Sequence, residues 1–411
     1  MTAPHQTAPS VLSATLVAAV AVAIALAAAV GLLWPDLQAA AAGFDFNAAL
    51  FEDFLGPYLE TAQRLADGSS EPAEGYLYPA YGALLLVPFS ALGPVGASWL
   101  CAAILLGSTL LLLASAFMLV RPERYHDAAA LGAATFLSHG VAHGAYWGQA
   151  SLVVVALSAA GFALWARGRS TPGAALIGGA AAIKLTPRVF LVAPIATRNR
   201  RAFAVARVTF VTCAVLAPLA VLGADGFASF HGEGAQRLGS MAEWVSTPEG
   251  GRGSQNPGAI LARALGAPAW WIGQGLGDLA ALALLVAAMR TLRADADVER
   301  ARAFLLLAAI PWLVVGPPWP HALAWLPLAW WVAWRGERSG TRVKGLVIAS
   351  AVLGSVPMLR LVGDPEVHAR LGLPAAAAFL AVLALLPGLR WGLGRSEKSK
   401  SGPAVSPDGP G

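Results

Sequence analysis

Apolar residues in this chain come in runs of bilayer-crossing length, separated by short polar segments. Twelve runs can be marked, at 11–34, 78–93, 96–120, 128–147, 150–166, 174–196, 203–223, 268–289, 303–317, 319–334, 345–362 and 371–391. A helix needs about 20 apolar residues to cross a hydrocarbon core about 30 Å thick. In that core the backbone must satisfy its own hydrogen bonds, so the runs are predicted to be helices. The expected fold class is all-α, a polytopic integral membrane protein with about 10–12 transmembrane helices. The segment Met1 to Ser10 has no Lys or Arg, and no small-residue cleavage site opens a soluble chain. The first run is therefore read as a membrane helix rather than a signal peptide.

Charge is sorted among the connections. Basic residues gather in Arg121–Arg124, Arg167–Arg169, Arg198–Arg201, Arg290–Arg302 and Arg335–Lys344, and in the tail with Arg395, Lys398 and Lys400. Residues 35–76 carry Asp36, Asp45, Glu52, Asp53, Glu60, Asp67, Glu71 and Glu74 against Arg64 alone. Residues 224–258 are long, rich in Gly and Ser, and nearly charge-balanced. The positive-inside rule puts these last two segments outside and the basic loops, with both termini, in the cytoplasm. Strict alternation would break that rule at Arg121–Arg124 and Arg167–Arg169. The conflict disappears if 78–93 and 174–196 are broken, the first at Pro88 and the second at Lys184 and Pro187. Broken helices at membrane depth line cavities and mark binding sites. A membrane domain over 1–395 and a Ser-, Pro-, Gly- and Lys-rich disordered tail over 396–411 are expected.

Composition agrees with the pattern. Of the 411 residues 57 % are hydrophobic and 12 % charged, where a soluble domain carries about 25 % charged residues. A soluble protein so poor in charge could not cover its surface. Cys101 and Cys213 fall inside apolar runs, as small hydrophobes rather than a disulfide. The net charge of +5 lies in short loops and is no nucleic-acid signal.

Candidate chemistry lies where polar groups interrupt this pattern. In the acidic loop, Phe51, Phe54, Leu55, Tyr58, Ala62 and Leu65 recur at helical spacing, and Gly56-Pro57 interrupts them. Two short amphipathic helices are expected here, in the membrane interface with their aromatic faces down and Asp53 near the break. A carboxylate at that boundary can take a proton from a hydroxyl. Lys184, with Arg188 nearby, lies in an apolar setting that requires a counter-charge, an acidic side chain or a ligand phosphate; snorkelling to the interface is the structural alternative. Gln149, in Trp147-Gly148-Gln149, either bonds a sugar or caps a turn. His139 and His143 have the i, i+4 spacing of metal ligands but no acidic partners, so no metal is expected. His321, in Trp319-Pro320-His321, binds phosphate or lines the interface. Asn256 and Arg263 follow Ser254-Gln255 into a helix and suit hydroxyl and phosphate recognition, or form an ordinary helix start. No phosphate loop, dinucleotide fingerprint or serine elbow is present.

Taken in order, these pieces resemble glycosyltransferase family 87, the polyprenol-phosphate-sugar-dependent mannosyltransferases of the GT-C membrane class. The resemblance runs through Asp53, Tyr58, Gly68, Tyr78-Pro79, Pro88, Gly148-Gln149, Lys184-Leu185-Thr186-Pro187, Arg263 and Trp319-Pro320-His321, roughly residues 45 to 335. One departure is Ser254-Gln255-Asn256-Pro257, where the family often shows Asn-Gln-Ser. The resemblance implies transfer of a hexose, mannose first, from a polyprenyl-phosphate donor to a hydroxyl of a glycan or glycolipid at the outer face of the plasma membrane. It implies Asp53 as general base, kept ionised by water or a cationic neighbour. Lys184, Arg263 and His321 would meet the departing phosphate, and Tyr58, Tyr78, Gln149, Arg188 and Asn256 would bind substrate. The family's donor is a co-substrate, so no cofactor and no metal are expected, and direct attack inverts the sugar. Membrane lipid is the expected surrounding and nucleic acid is not a partner. Two rival readings use the same charges: a transporter or lipid flippase, which requires pseudo-symmetric halves and a polar path, and a sugar-polymer ligase, which requires a larger basic outer loop than 224–258.

Overall fold

The structure is a computed structural model that describes residues 10–21, 23, 51–247, 253–293, 297–314, 319–335, 340–363 and 365–386. The expected loop residues 35–50, the end of the first apolar run and the tail 396–411 lie outside the described residues. Among the described residues the fold is all-α, with one isolated backbone bridge, Ser138 to Ser355, in place of any sheet. Three helical stretches, Val95–Leu119, Arg200–Met241 and Ala269–Thr291, are long and apolar enough to cross a membrane, and shorter apolar helices pack among them. Large apolar side chains face outward, among them Trp99 at 74 %, Trp271 at 77 % and Leu361 at 81 % exposure. Such a surface fits hydrocarbon and not water.

Small residues let the helices approach closely, as is usual in membranes. A Cβ on Gly161 would stand 2.7 Å from the Gly173 carbonyl oxygen, so the helices Ala150–Ala166 and Ser170–Ile183 meet almost backbone to backbone. Phe190, Phe162 and Phe304 fill the space beside this hairpin, with Phe304 4.7 Å from Phe190 and 5.0 Å from Phe162 between ring centroids.

Both runs expected to be broken are broken. Residues 78–93 form a short helix, Ala80–Leu84, and a 3-10 turn, Val87–Phe89. The helix Ser170–Ile183 stops at Lys184, whose backbone is extended at φ −144° and ψ 130°, and the chain resumes in a 3-10 turn, Thr186–Leu191. Two further breaks were not legible in the pattern. The run 128–147 divides at Ser138, and 345–362 divides at Gly354-Ser355. The two breaks satisfy each other, because His139 N donates to Gly354 O at 2.7 Å.

Three expectations need correction. Gly56-Pro57 does not separate a pair of helices: a π turn, Phe54–Tyr58, contains Pro57 and runs straight into Leu59–Ala66. A wider turn tolerates the amide that proline lacks. The aromatic face of this segment does not lie on lipid either, since Phe54, Tyr58, Leu59, Ala62 and Leu65 are buried in protein. The run 203–223 does not end in a loop, because helix Ala217–Ser246 continues through a kink at Gly223 (φ 70°, ψ 176°). Glycine alone absorbs that conformation without strain, and Phe230 beyond it is buried against Tyr76.

The basic connections gather at one end of the bundle. Arg167 donates to Met118 O at 3.1 Å, Arg300 reaches Ala166 O at 3.4 Å, and Arg335 pairs with Asp127 at 3.5 Å. Gln149 and Lys184 lie at the opposite ends of their helices.

Candidate active site

Helix His139–Trp147 ends because Gly148 takes the left-handed conformation (φ 68°), and Gln149 then stands just before Ala150–Ala166 with its side chain free of any capping bond. The two-residue joint holds the Gln149 side chain in place. A Cβ on Gly148 would lie 2.6 Å from Phe54 Cβ and 3.2 Å from Cys101 Sγ. Glycine therefore lets the Asp53 segment come down on the joint. Phe51 N, donating to Tyr146 O at 2.8 Å, anchors the start of that segment.

Asp53 Oδ2 accepts from Gln149 Nε2. Gln149 Oε1 accepts from Tyr58 at 3.1 Å and from Tyr78 at 3.2 Å. Lys184 Nζ donates to Ser151 Oγ at 2.8 Å, lies 3.4 Å from the Tyr78 hydroxyl, and sits 4.9 Å from the Tyr78 ring centroid. The extended backbone at Lys184 is what frees its side chain to turn inward from the end of the helix. Carboxylate, amide, phenols and ammonium thus form one connected polar chain.

Asp53, Tyr58, Tyr78 and Gln149 line a cavity of about 410 Å³, together with His143, Trp147, Trp319 and His321. That size suits a small ligand. A second cavity of about 90 Å³ holds Lys184 and Ser151 among Phe190, Phe304 and Trp312, and shares His321 with the first. His321 is buried, and its Nδ1 has no hydrogen-bond partner among the described residues. An open groove lined by Glu74, Gln236, Arg237 and Ser240 adjoins the first cavity through Gly75, Leu77 and Met241.

Asp53 is half-buried, and burial pushes its pKa above the usual 3.8. The hydrogen bond from Gln149 opposes that shift, Glu52 adds to it, and the Lys184 charge opposes it. Lys184 acts on the carboxylate through its charge rather than through a direct contact, since Gln149 and Tyr78 stand between them.

Of the residues singled out in the sequence, Asp53, Tyr58, Tyr78, Gln149, Lys184 and His321 come together. Arg188 does not join them; it is exposed, donates to Leu185 O at 3.3 Å and lies over the Phe210 ring. Asn256 is buried as the cap of helix Pro257–Leu265, accepting from Ala259 N at 2.6 Å. Arg263 holds Ser254 O at 2.7 Å, outside the lining of the described cavities, and burial lowers its pKa to about 10. Gln255, beside Asn256, accepts at its backbone O from Trp312 Nε1 at 2.7 Å, and Trp312 lines the second cavity.

Sequence reasoning passed over Tyr76 and Ser151. Tyr76 packs edge-on against both Tyr58 and Tyr78 at 5.8 Å, and its hydroxyl holds Pro79 O at 2.9 Å. Its neighbour in the Tyr76-Leu77-Tyr78 triplet was the available signal. His139, His143, His321 and His368 make a chain of ring contacts at 5.0 to 5.6 Å. Among the described residues no three metal-binding side chains are arranged to hold an ion.

Residues 76–317, more than half of the chain, match the model of glycosyltransferase family 87. The matched span includes Tyr78, Gln149 and Lys184; Asp53 and Tyr58 lie before it and His321 just after it. Searches of curated proteins and of solved structures find no match.

Proposed function

This chain belongs to glycosyltransferase family 87, and from that premise we propose that it moves a hexose, mannose first, from a polyprenyl phosphate to a hydroxyl of an extracytoplasmic glycan or glycolipid. The observation that carries the reading is the unbroken chain Asp53–Gln149–Tyr78–Lys184, with a carboxylate lining one cavity and a cation lining the smaller one that shares His321 with it.

In this reading Asp53 accepts the proton of the acceptor hydroxyl as its oxygen attacks the anomeric carbon. The bond from that carbon to the phosphate oxygen breaks, and the electron pair leaves with the polyprenyl phosphate. Attack and departure on opposite faces invert the centre. Lys184 stands where the phosphate charge grows, and fixed charge there lowers the barrier without reorganisation, while His321 offers the same oxygens a ring N–H donor. Gln149 steadies the ionised form of Asp53 and fixes the two phenols. The stacked Tyr58 and Tyr78 rings, with centroids 5.3 Å apart, offer a wall to the sugar. The open groove with Glu74, Gln236 and Ser240 admits the acceptor, while Arg237 braces its rim by holding Pro72 O at 3.1 Å. Arg188 takes no role, and Asn256 and Arg263 support the walls. The step uses no metal, nucleotide or other cofactor. The cavity opens on the outer face of the plasma membrane, and the basic connections face the cytoplasm.

The test is transfer of labelled mannose by the purified full-length protein, with polyprenyl-phosphate mannose and nucleotide-linked mannose offered separately. Transfer from the lipid donor is expected. Equal transfer from the nucleotide sugar, with no lipid carrier present, would overturn the reading.

A further inference from the structure

Most buried donors in the bundle are satisfied, and two exceptions lie together. The indoles of Trp312, Trp330 and Trp331 donate to Gln255 O, Ser350 Oγ and Val120 O at 2.7, 2.8 and 2.8 Å. Trp325 is 1 % exposed, and its Nε1 has no partner among the described residues. The helical serines divide in the same way. Ser108 and Ser115 return their hydroxyls to the carbonyls four residues back, at 2.7 and 2.6 Å. Ser158, also 1 % exposed, makes no such bond and has no partner among the described residues. A buried polar group without a partner is unfavourable, and both of these line one space.

That space is the cavity of about 90 Å³ that Lys184 and His321 also line. One water takes about 30 Å³ of liquid volume, so there is room for a phosphate group but not for a sugar ring. Two side chains in its wall can only donate, the Trp325 indole and the Lys184 ammonium. Lys184 carries three N–H bonds, and its contacts with Ser151 and Tyr78 engage two of them. Much of the remaining wall is apolar, with Val154, Phe190, Phe304 and Pro311. Hydrogen bonds to an anion are stronger in such surroundings. The larger cavity, which holds Asp53 and has room for a sugar, meets this one at His321. A base lining one space and donors lining the other fit the opposite-face geometry of an inverting transfer.

We propose that Trp325 and Ser158 are ligands of a phosphate group, the one that departs with the polyprenyl chain; this assignment rests on the lipid donor proposed above. When the bond from the anomeric carbon to the phosphate oxygen breaks, the electron pair and its charge go to that oxygen. The Trp325 N–H and the Ser158 O–H donate to the phosphate oxygens, and both bonds strengthen as the charge builds. The proton of the acceptor hydroxyl stays with Asp53, so neither ligand changes its protonation. A bridging water would use the same donors, and the experiment separates the two occupants.

The experiment uses the purified full-length protein in nanodiscs, with a short-chain polyprenyl phosphate, the matching polyprenol and inorganic phosphate as probes. Calorimetry gives each Kd, and the thermal midpoint of the ligand-free protein is read alongside. Wild type should bind the polyprenyl phosphate more tightly than either other probe. Trp325→Phe and Ser158→Ala should each weaken that binding about tenfold to a hundredfold, the range for losing a hydrogen bond to a charged group. Polyprenol binding should stay as in wild type. Ser158→Ala is nearly isosteric and deletes an unpartnered hydroxyl, so its ligand-free midpoint should equal or exceed that of wild type. A loss of affinity in that variant is then not misfolding. Wild-type affinity in both variants overturns the proposal. So does a lowered ligand-free midpoint in Ser158→Ala with affinity unchanged, which gives the hydroxyl to a bridging water. Inorganic phosphate bound as tightly as the polyprenyl phosphate overturns the lipid source. No sugar moves in these measurements, so the two readings fail separately. Mannose transfer from the lipid donor, with both variants binding normally, overturns this site alone. Binding of polyprenyl phosphate through both residues, with no transfer, supports this site and overturns the proposed function.

Discussion

Gln149 donates its side-chain Nε2 to Oδ2 of Asp53, while its Oε1 accepts from two tyrosine hydroxyls at 3.1 and 3.2 Å. The ionised carboxylate only accepts, so the amide nitrogen must face it, and the two phenols, which can donate, are left the oxygen. A donor on the carboxylate favours its charged form against the burial that disfavours it. Gln149→Leu should therefore slow transfer about tenfold to a hundredfold, the range for losing a hydrogen bond to a charged group. Steady-state kinetics with a lipid donor measures it, and a rate near wild type would remove Gln149 from the mechanism.

Asp53→Asn should reduce the rate by about 10² to 10⁴, the span usually attributed to a general base. It should not reduce stability at neutral pH. Burial raises the folded-state pKa of Asp53 above 3.8, so the folded protein prefers the protonated acid. The stabilisation from that preference is complete below the unfolded pKa and fades as pH rises through the folded one. At neutral pH the charged carboxylate is a burden, and an isosteric amide can still accept from Gln149. Thermal midpoints and rates of the two proteins, measured side by side, check both halves of the claim.

The same shift fixes the acid limb of the pH profile. Transfer needs Asp53 ionised, so kcat/KM should rise with pH through a pKa above that of an ordinary aspartate. Lys184 lowers that pKa by its charge, hence Lys184→Met should move the limb further up while also reducing kcat. A limb that stays in place would mean that the ammonium does not act on the carboxylate.

The sequence showed these groups unevenly, for reasons that differ from residue to residue. Lys184 was visible because a cation in an apolar run conflicts with its surroundings, and the structure resolves the conflict with Ser151 and Tyr78. The pairing of Asp53 with Gln149 spans 96 residues, and no local pattern reports a contact of that range. Periodicity gave the helices but not their kinks: Pro57 sits inside a π turn, and Gly223 bends a helix that the Gly- and Ser-rich composition made resemble a loop. Arg188, close to Lys184 in the chain, suggested a paired anion site. The 3-10 turn after Lys184 instead carries it outward, to the Phe210 ring.

Asn256 illustrates a polar residue whose work is structural. Its Oδ1 caps helix Pro257–Leu265 and its Nδ2 reaches Gln274 at 3.2 Å. Asn256→Ala should cost about 1 kcal/mol of stability, as other cap removals do. The specific activity of the folded fraction should stay close to wild type. Denaturation curves paired with rates per folded molecule make the comparison, and a large loss of rate at unchanged stability would place Asn256 on substrate.

Gly148 couples fold and chemistry most directly. Its φ of 68° is left-handed, so Gly148→Ala is strained before any contact is considered, at roughly 1–3 kcal/mol. The new methyl would also stand 2.6 Å from Phe54 Cβ, far inside van der Waals contact, and Phe54 adjoins Asp53 in the chain. The Asp53 segment must therefore lift away from Gln149, and a displacement of about 1 Å is enough to cost about a hundredfold in rate. The variant should lose much more activity than its fall in thermal midpoint accounts for. A Gly148→Ala protein with the wild-type rate, whatever its midpoint, would show that this close approach does not position the carboxylate.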